Sequence, residues 1–84
     1  MNRELKHCSV YKHYKGGLYY VMGEAQSTDD LSELVVYHAL DEDTETWVRR
    51  KEEFLSEVDE YVVNPTGQKY RFELLEGENN YETN

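Results

Sequence analysis

The apolar positions of this chain fall into short runs divided by turn-forming or charged residues, and no run keeps a helical period for long. Leu18 to Ala25 is β-prone and aromatic and follows Gly16-Gly17, which reads as a turn. Ser27 to Ser32 is turn-rich, and Glu33 to Leu40 gives a second apolar run around Val35 and Val36, so the two runs predict a hairpin. Asp41 to Glu45 is a charged loop, after which Thr46 to Arg49 predicts a short strand. From Lys51 to Val58 the period changes: Phe54, Leu55 and Val58 suit one or two helical turns packed on a sheet. Tyr61-Val62-Val63 predicts another short strand, Asn64-Pro65-Thr66-Gly67 a turn, and the alternation from Lys69 to Leu74 a half-buried final strand.

This succession predicts a mainly β domain: a small SH3-like open barrel or strongly bent antiparallel sheet of four or five strands with one short helical turn. The expected layout is an N-terminal arm over 1–10, a single β-barrel domain over 11–75, and an acidic, flexible tail over 76–84 unless Tyr81 docks. A chain of 84 residues supports one domain, with a core that must be compact. In the run from Glu33, a period of two puts Leu34, Val36, His38 and Leu40 on one side and Val35, Tyr37 and Ala39 on the other. Both sides are apolar, which predicts a central strand.

Five segments occur in a specific order: Tyr11-Lys12-His13-Tyr14-Lys15-Gly16-Gly17-Leu18-Tyr19, Val21-Met22-Gly23-Glu24-Ala25, Glu33-Leu34-Val35-Val36-Tyr37, Trp47-Val48-Arg49, and Phe54 to Val58. In that combination the chain resembles the small bacterial and phage domains grouped as domain of unknown function family 1653, over about Tyr11 to Val58 and more loosely Tyr70 to Leu74. The resemblance implies a compact β-rich domain with no established activity. The family-like pattern has proline after Trp-Val-Arg, where Arg50 stands here; a retained backbone N–H lets the strand pair one residue further and adds a cation.

Charge then narrows the partners. Eighteen acidic residues against nine basic ones give a net −9, which disfavours direct contact with nucleic acid phosphates and anionic membrane surfaces. Cys8 is the only cysteine, no apolar run reaches membrane-span length, and no signal-type stretch follows Met1, so a reducing cytoplasm is the simplest compartment.

Against this acidic background, Tyr11 to Gly17 concentrates aromatic and cationic groups ahead of a glycine turn, and Trp47 lies two positions from Arg49. Glycine N–H groups, Lys15 and Arg49 suit an anion, and tyrosine faces suit a planar ring. The expected ligand-binding set is Tyr14, Lys15, Gly16, Gly17, Tyr37, Trp47 and Arg49, taking a small anionic or nucleotide-like ligand or a short peptide. The competing structural reading has the tyrosines packing on the barrel, Trp47 filling the core, and the arginines pairing with Glu52 and Glu53.

His7, Cys8 and His13 lack the paired spacing of a closed zinc site. The run from Asp41 through Asp43, Glu45 and Glu52 echoes a calcium loop but has Thr46 where the turn needs glycine. Nothing in the spacing joins His13 or His38 to Cys8 or a serine as a catalytic pair, so no metal, cofactor or enzymatic activity is expected. The expected function is a non-enzymatic binding module that forms a homo-oligomer through exposed edges and tyrosines. The alternative is an acidic inhibitor or adaptor that uses Asp41 to Glu45 with Glu52, Glu53, Glu57, Asp59 and Glu60 to dock on a basic protein surface as a nucleic acid mimic.

Overall fold

A computed structural model describes residues 3–41 and 45–75. The tail over 76–84, with Tyr81, and the loop residues Glu42, Asp43 and Thr44 lie outside the described residues. The chain forms strands β1 (Ser9–His13), β2 (Leu18–Gln26), β3 (Glu33–Ala39) and β4 (Thr46–Arg50), helix α1 (Lys51–Phe54) and strand β5 (Phe72–Leu74). The strands make one antiparallel sheet in the order β4-β3-β2-β1-β5, unclosed, with β4 and β5 as its edges. It is therefore the open-sheet form of the expected β architecture that this sequence adopts.

Local chemistry sets the meander. At the β1–β2 turn the His13 N–H donates to the Gly17 carbonyl at 2.8 Å and the Gly16 N–H to the His13 carbonyl at 2.7 Å. Gly16 sits at φ 111°, a backbone region that side chains disfavour. β2 carries an irregularity at Met22: Val21 pairs with Tyr37, but the next partner of Val36 is Gly23. That extra residue re-phases the strand, so Tyr19 and Val21 face the core while Glu24 lies opposite Val35.

The core comprises Tyr11, Val21, Val35, Tyr37, Phe54 and Phe72. On β3 the side carrying Val35, Tyr37 and Ala39 is buried, and the side carrying Val36 and His38 is half-buried. α1 is far too short to be stable alone and holds because it delivers Phe54 onto the sheet. The Phe54 ring stacks on Phe72 with centroids 3.9 Å apart and planes 7° from parallel. Each fully buried phenylalanine contributes about 1.5–3 kcal/mol of transfer free energy. Arg3 fastens the two segments from outside, donating to the Leu55 and Phe72 carbonyls at 2.9 Å each and lying 4.0 Å from the Tyr70 ring centre.

Several expectations change. β1 begins at Ser9, inside the segment read as an arm, and Ser9 is buried. Tyr61-Val62-Val63 forms no strand: Asp59 captures the Tyr61 N–H on its carboxylate at 2.9 Å and the Val62 N–H on its carbonyl at 3.2 Å, closing a local turn. β5 is shorter than its alternation suggests, starting only at Phe72. The competing reading in which Trp47 fills the core does not hold, since it is 45% exposed. Its strand is an edge, and Phe54 and Phe72 arrive from beyond the β1–β4 meander to occupy the interior. The strand does reach Arg50, which pairs with Leu34 as the retained N–H at that position allows.

Candidate functional site

The site grows from one face of the sheet. Antiparallel pairing sets Tyr37 opposite Trp47 and Val35 opposite Arg49, so all four share the core face. Arg49 Nε donates to the Tyr37 hydroxyl at 3.3 Å, its terminal nitrogen reaches Glu53 at 3.4 Å, and its guanidinium lies 5.9 Å from the Phe72 ring centre. Partial burial works against the charge on Arg49, but the Tyr37 hydroxyl and Glu53 outweigh it and raise its pKa.

β1 and β5 bring the second half. His13 pairs with Phe72, and its imidazole meets Phe72 at 4.7 Å, Tyr14 at 4.6 Å and Tyr19 at 6.1 Å between ring centres. Tyr14 is buried, with Lys15 Nζ and the Arg71 guanidinium each 5.9 Å from its ring centre. The backbone holds this pairing: the Tyr14 N–H donates to the Arg71 carbonyl at 2.9 Å. Thr66 donates its hydroxyl proton to the Tyr14 carbonyl at 2.8 Å, and Gln68 Nε2 donates to the Lys12 carbonyl at 3.0 Å. Burial first, then the charges of Arg49, Arg71 and Lys15, push the His13 pKa down to about 4. Its Nδ1 accepts from the Lys15 N–H at 3.1 Å, which leaves the proton of the neutral ring on Nε2.

Of the expected residues, Tyr37, Trp47 and Arg49 converge on the β3–β4 side, and Tyr14 and Lys15 on the turn side. Phe72 joins the two halves, meeting His13 on one side and Tyr37 and Arg49 on the other. Gly16 and Gly17 are exposed at the turn, and Gly17 lines a groove of about 390 Å³ with Leu18, Tyr19, Ala39, Leu40 and Asp41. A Cβ on Gly17 would stand 3.2 Å from the Tyr19 ring, so the glycine keeps that ring in place. Arg71, Phe72 and Tyr19 were not among the expected residues. Arg71 reads in sequence as the solvated member of an alternating strand, and only its contact with Tyr14 reveals it.

The arginines pair as the structural reading anticipated for Glu53, whereas Arg50 bonds Asp30 at 3.0 Å. Asp30, drawn on by the Ser32 backbone and side chain first, has its pKa lowered to about 2. His7 lies 2.6 Å from Glu24, and among the described residues no three His, Cys, Asp or Glu side chains group to hold a metal. His38 bonds the Ala39 carbonyl and packs on Tyr20 across the outer face, so the sheet separates it from His13. A larger cleft of about 720 Å³ opens elsewhere, around Arg3, Lys51, Glu57, Lys69 and Tyr70. Among the described residues no helix is long and apolar enough to cross a membrane.

Residues 9–74 match the family described as Protein of unknown function (DUF1653), and the chain belongs to that family. No curated protein and no solved structure matches it.

Proposed function

We propose, starting from membership of a family without an assigned activity, that this chain is a non-enzymatic binding module for a small anionic ligand carrying a planar ring, of the nucleotide type. The observation that carries the reading is that Lys15 and Arg71 stand 5.9 Å from the Tyr14 ring and Arg49 5.9 Å from the Phe72 ring, the two rings that flank the neutral His13 imidazole, in a chain of net charge −9. Cations gathered at one place in an acidic protein repel each other and cost stability, a cost that an anion would relieve. In this reading Lys15, Arg49 and Arg71 neutralise the anion, the Nε2–H of His13 donates to it, and Trp47 offers a ring face. The lone free thiol of Cys8 goes with a reducing bacterial or phage-infected cytoplasm.

Isothermal titration with ADP and with pyrophosphate tests the reading. Arg71→Ala and Arg49→Ala each weaken binding by at least about tenfold, the worth of one charge-assisted contact, while the melting temperature stays close to wild type. Absence of binding by wild type to either probe, or equal binding by the variants, removes it.

A second reading draws on the exposed carboxylates Glu52, Glu53, Glu57, Asp59 and Glu60, which follow one another over α1 and the next turn. In it the protein is an acidic adaptor on a basic surface, and charge reversal there abolishes the association without touching ADP binding.

A further inference from the structure

β4 lies at a sheet edge with β3 as its neighbour, so one row of its backbone N–H and C=O groups faces outward. Arg49 and Arg50 are the charges this short edge carries, and among the described residues neither a bulge nor a proline interrupts it. The register runs from Leu34–Arg50 to His38–Thr46, and Trp47 and Val48 stand exposed beside it. α1 turns back over the core face, packing on β3 and β4 through Phe54, and among the described residues no strand pairs with the outer side of β4.

The edge sequence is complementary to itself. If two β4 strands pair antiparallel about Val48, Thr46 opposes Arg50 and Trp47 opposes Arg49. Each Arg49 then faces an indole and each Arg50 a hydroxyl, and no two like charges oppose each other within the strand. A centre at Arg49 would set two arginines face to face. A centre at Trp47 would leave Arg49 and Arg50 outside the strand overlap. The Val48 register is the one that engages all five residues of β4.

We propose that two copies of this chain associate through antiparallel β4–β4 pairing centred on Val48, placing each Trp47 on Arg49 of the partner subunit. The dimer stands on the edge geometry alone; that the added indole completes a ligand site rests on the function proposed above. In the isolated subunit Arg49 touches Tyr37, Glu53 and Phe72, and its neighbour across the dyad supplies the large ring face on the open side.

Native mass spectrometry and sedimentation of the full chain give a dimer, and Val48→Lys, at a position 59% exposed, weakens dimerisation at least about tenfold without lowering the melting temperature. In a Cys8→Ser background with added oxidant, Val48→Cys chains trap as a disulfide-linked dimer. Thr46→Cys chains do not, because the proposed register holds the two Thr46 positions about 13 Å apart. A wild-type monomer throughout the micromolar range overturns the proposal, as does trapping of Thr46→Cys as readily as Val48→Cys. Loss of ADP binding with an intact dimer counts only against the ligand reading.

Discussion

His13 shows how far one side chain departs from its ordinary behaviour when three cations and three rings surround it. Its pKa falls from 6.5 to about 4 because burial and then Arg49, Arg71 and Lys15 oppose the charged form. The unfolded chain therefore binds more protons than the native one between those values, and His13 makes stability fall as pH drops through that window. Thermal melts from pH 7 to 4 record this slope, and His13→Asn flattens it. Asp30, lowered to about 2, adds a separate loss between about 3.8 and 2, which the His13 variant leaves unchanged. Sequence alone singled out Lys15, Tyr37 and Arg49 as candidates, since rare cations beside aromatics stand out in an acidic chain. It did not reach Arg71, whose approach to Tyr14 depends on the long-range pairing of β5 with β1. At the other end of the β2–β3 hairpin, Leu31 is held at φ 63° and is 66% exposed. Leu31→Gly relieves that conformation and raises stability by about 0.5–1 kcal/mol in denaturant unfolding.

At the scale of elements, β2, β3 and β4 are legible from period and turn chemistry because each has partners supplied by its neighbours in sequence. β1 was obscured: only Val10 and Tyr11 in Ser9–His13 are plainly strand-like, and Ser9 and His13 occupy inward positions that a polar pattern does not advertise. The reverse error arose at Tyr61-Val62-Val63, strongly β-prone yet left 87% exposed at Tyr61 and 84% at Val63, because a strand exists only where another backbone pairs with it. α1 and β5 depend on each other through Phe54 and Phe72, with Arg3 bridging the carbonyls at their ends. Arg3→Ala therefore costs about 2 kcal/mol in chemical denaturation, two charge-assisted bonds and a ring contact being lost together.

For the molecule as a whole, one stacked phenylalanine pair closes the core of an open sheet. Phe54→Ala removes about 3–5 kcal/mol, comparable with the total stability of a domain this small, so circular dichroism of that variant reports a largely unfolded chain at 37 °C. Position 47 could not be assigned from sequence, because whether the largest apolar side chain goes inside depends on which strand becomes an edge. The segment around Thr66 and Gln68 grips the carbonyls of Tyr14 and Lys12 and so ties the cationic turn to a neighbouring stretch of chain. Those amides are a natural gauge of the proposed binding: if a guest tightens the turn, their nuclear resonances shift, and occupancy becomes measurable from outside the charged cluster.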